Sequence, residues 1–171
     1  MEVGRDGGQS LDREAPLLSR LSPADLVTPR RLDLAVKWRL FRHMVYDSDP
    51  EAIRVYRWHI AKRHQSGFVD GEKMRGDATL DHYQAEAEAL FKSMKANGFD
   101  TKFPIPVDPQ MELLGGAHRV ACALVLGCEV EIEHYARDAW APAWDRAWFV
   151  KAGMDAADLA RTEADFARMV R

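Results

Sequence analysis

Leu113-Leu114-Gly115-Gly116-Ala117-His118-Arg119-Val120-Ala121 reads as the end of a strand, a two-glycine turn and the first turns of a helix. The fold of the chain follows from it. A helix start carries unpaired backbone N–H groups and the positive end of the helix dipole, which suits an anion such as phosphate. Glycine lets backbone come close to that anion, and arginine grips it in a bidentate manner. Read without its neighbours, the same stretch also serves as a plain strand-to-helix connection. His118 is then a capping or core histidine and Arg119 a surface residue.

Upstream, residues 111–114 predict a short strand. Before it, Phe103-Pro104-Ile105-Pro106-Val107 predicts a proline-interrupted strand, suited to a sheet edge or a strand start. Downstream, residues 117–126 form an apolar, alanine-rich helix stopped by Gly127. Val130, Ile132 and His134 then alternate with Glu129, Glu131 and Glu133, the pattern of a half-exposed strand.

Further out the chain turns helical. Leu34, Trp38, Phe41 and Val45 recur at helical spacing, predicting an amphipathic helix with that face inward. Ser48-Asp49-Pro50-Glu51 combines cap residues, a first-turn proline and a capping-box glutamate, and the helix it opens should run to about Gln65, with Gly67 as its stop. Leu80, Tyr83, Ala87, Leu90 and Met94 mark a third helix ended by Gly98. Trp140, Trp144 and Trp148 are spaced by four, and a last helix begins near Asp155 or Ala156. Residues 17–21 suggest an edge strand, and Ser22-Pro23-Ala24-Asp25-Leu26 a short helical turn.

The order of elements gives an α+β class: a small mixed sheet carrying a strand–Gly-Gly-x-His-Arg–helix–strand unit, wrapped by additional helices. Residues 1–16 read as a polar, disordered tail, and 17–171 as one domain with helical elaborations over 32–97 and 139–171.

A chain of 171 residues, 47% hydrophobic and 30% charged, has the composition of an ordinary soluble domain. No apolar run reaches the roughly 20 residues of a membrane span, and no secretory leader is apparent, so a cytoplasmic location is expected. Cys122 and Cys128 form no metal-spaced pair and read as buried thiols of a reducing compartment. The net charge of −3 hides a basic region between Thr28 and His64, with nine Lys/Arg against four Asp/Glu. It suits phosphate, nucleotide or nucleic acid, or it forms the solvated faces of two helices.

Two further places invite chemistry. The loop Asp70-Gly71-Glu72-Lys73-Met74-Arg75-Gly76-Asp77 clusters carboxylates and cations between glycines. Glu72, or Asp77 in second place, is a candidate general base or metal ligand, and Lys73 or Arg75 a phosphate partner. Such a loop is also commonly just solvated, with Asp77 capping the next helix. The tryptophan series is either a stacking platform for bases or an aromatic stripe that docks a helix on the core. His43, His59, His64 and His82 show no metal spacing and are read as structural or surface residues.

Together, Phe103-Pro104-Ile105-Pro106-Val107, the Gly115-Gly116-Ala117-His118-Arg119 turn, and Ala121, Ala123, Leu124 and Gly127 resemble the ParB/sulfiredoxin-like superfamily over roughly residues 97–135. Gly98-Phe99-Asp100, with Pro29-Arg30-Arg31-Leu32-Asp33-Leu34 and Lys37 upstream, looks like a ParB-like branch of bacterial surface-polysaccharide gene neighbourhoods. The resemblance implies a nucleotide-binding fold whose turn holds phosphates, shared by CTP-hydrolysing partition proteins, sulfiredoxin and a free serine kinase.

Three departures sort these activities. Ala117 stands where sulfiredoxin has its reactive cysteine, which excludes thiol chemistry there. The turn is Ala-His-Arg rather than the Glu-Arg-Arg type of partition proteins, and no recognition helix is evident after the last strand. Gly115 stands where many relatives carry an aspartate. If that aspartate holds metal or ribose, its role is taken elsewhere or catalysis is lost.

The expectation that follows is a nucleotide-dependent, kinase-like phosphotransferase using ATP, ADP or CTP with Mg²⁺. It would act on a small hydroxyl compound or a sugar, in cell-envelope polysaccharide synthesis. Gly115, Gly116, Ala117, His118 and Arg119 would form the cradle, Lys73, Arg30 and Lys37 would be charge partners, and Glu72 or Asp77 the base. The alternative is a nucleotide-sensing or nucleic-acid-binding module without turnover.

Overall fold

Alternating apolar residues at Val130 and Ile132, a glycine-bounded alanine-rich helix before them and a proline-bearing strand before that make a parallel β-α-β crossover. The computed structural model describes residues 18–66, 77–135 and 143–170, without the side chains of Asp77 and Ala78. The elements in chain order are β1 (Leu18–Leu21), a 3₁₀ turn (Pro23–Leu26), α1 (Asp33–Tyr46), α2 (Ala52–Gln65), α3 (Asp77–Asn97), β2 (Ile105–Val107), α4 (Ala117–Leu126), β3 (Val130–His134), α5 (Arg146–Lys151) and α6 (Ala156–Met169). The chain is therefore α+β. The expected disordered tail, the Gly67 stop, the loop residues Glu72 and Lys73, and Trp140 lie outside the described residues.

The sheet has the order β1-β3-β2. β1 runs antiparallel to β3, with Leu18 opposite Glu133 and Leu21 opposite Val130. β2 runs parallel to β3, with Ile105 opposite Ile132 and Val107 opposite His134. β2 is an edge strand, so Pro106 costs the ladder nothing on its open side. Ile105, Val107, Val130 and Ile132 are fully buried and meet Val120, Ala121 and Ala123 of α4 in one core with Leu34, Leu40 and Phe41 of α1.

The expected strand over residues 111–114 reduces to one antiparallel bridge between Val107 and Leu113. The chain doubles back immediately after β2. The Asp108 carboxylate accepts the N–H groups of Gln110 (2.9 Å) and Glu112 (2.8 Å), and Met111 takes a left-handed φ of 65°. That turn leaves room for a single paired residue. The upstream strand is likewise shorter than expected, beginning at Ile105, with Phe103 exposed.

The expected capping box before α2 does not form. The helix starts at Ala52 after an N-cap at Glu51 that makes no side-chain cap bond; Asp49 is held by Arg39 (2.5 and 3.2 Å) and also accepts the Glu51 N–H. Glu51 pairs with Arg54 instead. The third helix follows its expected face, with Tyr83, Ala87 and Met94 buried, although Phe91 is more deeply buried than Leu90.

α1 departs most from expectation. It packs against α2, α4 and α6, so its first two turns are buried nearly all round, including Asp33, Lys37 and Arg39. Burial of Arg31, Lys37, Arg39 and Arg63 removes much of the basic region from the surface. Neither a solvated helix face nor an exposed phosphate-binding stripe describes those four side chains.

At the base of α1, Arg31 sets a fork on Asp33: Nε to Oδ1 at 2.8 Å and Nη2 to Oδ2 at 3.0 Å. Lys37 Nζ donates to the same Oδ2 at 2.6 Å. Burial alone would raise the Asp33 carboxyl, but Arg31 and Lys37 overcome it and hold Asp33 well below the usual carboxylate range. Burial pulls Lys37 down to about 8, opposed by Asp33. Removing one member of a buried ion group leaves uncompensated charge, at a cost of about 3–5 kcal/mol. Asp33→Ala should therefore lose stability on that scale in urea unfolding. Because the folded pKa of Asp33 is depressed, its contribution is complete above the unfolded value of about 3.9 and disappears as pH falls through the folded value. Asp33→Asn should accordingly show a flatter acid limb than the parent chain.

Candidate functional site

The turn at residues 114–116 is tied down from both sides. Leu114 donates its N–H to the Pro106 carbonyl at 3.0 Å, and Arg31 Nη1 donates to the Leu113 carbonyl at 3.1 Å. Gly116 then adopts φ 75° as the N-cap of α4, a position with no side-chain cap. A β-carbon there would lie 2.8 Å from Ile105 Cδ1 and 3.0 Å from the Arg119 guanidinium, two side-chain ends that would have to shift, and the left-handed conformation itself favours glycine. Gly115 is different: a β-carbon would meet only Pro106 Cγ at 3.5 Å, an ordinary contact.

Gly115, Gly116, Ala117, His118 and Arg119 therefore sit together and are all half-buried. His118 Nε2 lies 2.8 Å from the Tyr56 hydroxyl, which lies 3.3 Å from the Tyr83 carbonyl. The carbonyl can only accept. Both contacts are satisfied when Tyr56 O–H donates to Tyr83 and His118 Nε2–H donates to Tyr56, which leaves Nδ1 as the ring's other polar atom. Burial raises the Tyr56 phenol and keeps it neutral. Arg119 folds back over Gly116 and donates from Nη1 to the carbonyls of Phe103 and Pro104. It stands at the rim of a cavity of about 320 Å³ whose walls include Leu90, Met94, Phe99 and Phe103, with Asp100 beside it.

The chain matches no family model, no curated protein and no solved structure.

The other predicted site residues are dispersed. Lys37 is fully engaged with Asp33, 1% exposed, so it supports the turn through Arg31 and does not face a ligand. Arg30 is exposed, and its carbonyl receives the Trp144 N–H at 2.9 Å. Asp77 is the first residue of α3, but its side chain, like Glu72 and Lys73, is outside the described residues. The expected helical tryptophan stripe does not form among the described residues, because α5 begins at Arg146 and Trp144 stands before it in a bridge with Arg31. Trp144 and Trp148 still meet edge to face at 4.9 Å, and Trp148 and Phe149 enclose the His59 ring. Among the described residues, neither His59 nitrogen has a hydrogen-bond partner. Burial, reinforced by Lys37, depresses its pKa and keeps the ring neutral. Cys122 is buried, and burial pushes its thiol up to about 12.

Sequence reading misses Tyr56, Arg31 and Asp33 as supports of the turn. Tyr56 carries the signal of a core aromatic, and only its hydroxyl, 62 positions from His118, gives it a polar role. The unequal roles of the two glycines can be measured. Gly116→Ala should lose more than about 1 kcal/mol in equilibrium unfolding, since strain and overlap act together. Gly115→Ala should stay within about 0.5 kcal/mol of the parent.

Proposed function

We propose that the protein is a ParB/sulfiredoxin-like nucleotide-dependent phosphotransferase that transfers a phosphoryl group to a small hydroxyl compound or a sugar. The observation that carries this reading is the uncapped, half-buried start of α4 beside the apolar cavity at Arg119. The backbone N–H groups of residues 117–119 suit phosphate oxygens. Phe99 and Phe103 suit the flat face of a base, and Arg119 stands between the two sites. The parallel β2-α4-β3 unit agrees with the superfamily resemblance.

In the reaction, the acceptor hydroxyl forms a bond to the terminal phosphorus as the bond to the departing nucleotide oxygen breaks. The hydroxyl proton passes to a carboxylate, for which Glu72 is the first candidate and Asp77 the second. His118 and Arg119 bear on the charge of the phosphoryl oxygens. Among the described residues no group of three or more His, Cys, Asp or Glu is placed to hold a metal ion, and no residue is assigned to Mg²⁺. A cytoplasmic setting and cell-envelope polysaccharide synthesis belong to the same proposal. Among the described residues no helix is long and apolar enough to cross a membrane.

One observation favours the second reading, a nucleotide-sensing module without turnover: Arg119 is committed to two backbone carbonyls. Thermal-shift titration with ATP, ADP and CTP, with and without Mg²⁺, addresses binding. At a nucleotide concentration 100 times Kd, the stabilisation expected is about 2.7 kcal/mol. His118→Ala and Arg119→Ala should remove it while keeping the parent far-UV spectrum. Unchanged nucleotide binding in both variants excludes the turn as the site. Glu72→Gln should bind nucleotide normally and lose phosphoryl transfer. Nucleotide binding without turnover in the parent chain, across sugar and small-alcohol acceptors, selects the sensing reading.

A further inference from the structure

On the side of α1 opposite Asp33 and Lys37, four arginines converge on a crevice between α1 and α6. Arg39 and Arg42 come from α1, and Arg161 and Arg168 from α6, around a cavity of about 200 Å³. Among the described residues, two carboxylates, Asp49 and Asp165, are their acidic companions lining it. Asp49 is occupied by Arg39 at 2.5 and 3.2 Å, by Arg161 at 3.4 Å and by the Glu51 N–H at 3.1 Å. Asp165 takes Arg168 at 3.0 Å and Arg161 at 3.8 Å.

The crevice is rich in donors and poor in acceptors. Each guanidinium offers about five N–H donors, while each carboxylate offers about four acceptor positions. Four positive groups against two negative ones leave a formal excess of two. Burial raises the Asp165 carboxyl against the pull of its arginines. Arg39 is 6% exposed, and its buried Nη1 has no hydrogen-bond partner among the described residues. Arg42 sits over the Trp38 ring, 4.6 Å from its centre, a contact that orders the guanidinium before any ligand arrives. Arg161 and Arg168 are each more than half exposed and reach the mouth from solvent. Guanidinium forks match phosphate oxygens in geometry and charge. The volume falls below the roughly 300 Å³ at which sites for whole drug-sized ligands begin, so it suits a phosphate group with few attached atoms.

We propose that the α1–α6 crevice is a second anion site, which binds the dianionic phosphate group of a small phosphorylated molecule through Arg42, Arg161 and Arg168, with Arg39 beneath. It stands independently of the Gly115–Arg119 turn.

Inorganic phosphate is the probe, titrated into the full chain near pH 8 and followed by thermal unfolding, with chloride at equal ionic strength as the reference. Saturable stabilisation beyond chloride is expected in the parent and in His118→Ala. Arg42→Gln with Arg168→Gln should weaken it at least tenfold. Arg42→Lys, which keeps the charge and loses the fork, gives a second and milder test, read as an intermediate weakening by ³¹P line broadening. A sugar phosphate binding more tightly than inorganic phosphate would identify the group as part of a larger metabolite, and equal binding would identify free phosphate as the ligand. Either result supports the site. No phosphate effect beyond chloride overturns it, as does an effect that survives in the arginine variants or vanishes in His118→Ala.

Discussion

Arg31 joins three parts of the chain that are far apart in sequence. Its guanidinium sets two donors on Asp33 and a third on the carbonyl of Leu113, and its backbone forms a bridge to Trp144. The base of α1, the bridged segment before the two-glycine turn and the lead into α5 are thus tied together by one residue. A guanidinium suits this task because its donors lie in one rigid plane and its charge does not titrate in the working range. Asp33 makes burial of that charge tolerable, and its place in the first turn of α1 adds a favourable interaction with the helix dipole.

The consequence for the turn is rigidity without a dedicated cap. Arg31 and the Pro106 carbonyl hold Leu113 and Leu114, and Gly116 makes the one left-handed step that starts α4. His118 is held through Tyr56, while Arg119 lies over Gly116 with its donors on two carbonyls. Backbone groups at a fixed helix start need little reorganisation to meet an anion, which is the physical merit of such a site. Arg119 carries the counter-argument within the same geometry, since a ligand must compete with the Phe103 and Pro104 carbonyls for it.

Charge is distributed over α1 in two ways that are invisible in a residue count. At its base, Arg31 and Lys37 share one carboxylate out of contact with water. On its opposite side, Arg39 and Arg42 face a crevice with the arginines of α6. The first arrangement is closed and holds the fold together. The second leaves a buried donor, Arg39 Nη1, without a partner among the described residues.

The two-glycine turn, the helix after it, the alternating strand beyond and the stops at Gly98 and Gly127 are legible in the sequence because periodicity and left-handed glycines act over a few residues. The single bridge where a strand was expected at residues 111–114, and the missing capping box at Asp49, are not legible. In the first, backbone doubles back onto β2; in the second, Glu51 turns to Arg54 and Asp49 is held by Arg39 from the preceding helix. Lys37 reads as an available cation, yet it is buried because α1 is covered by α2, α4 and α6. The sequence by itself determines the helices α1 to α4 and α6, the alternating strand over residues 130–134, and that Gly115-Gly116-Ala117-His118-Arg119 forms a helix start. Only the tertiary structure decides which charges are buried, where Arg119 points and which arginines share a crevice. Those outcomes depend on pairs such as Arg31 with Leu113, Tyr56 with His118 and Arg161 with Asp49, whose separation along the chain leaves no local pattern.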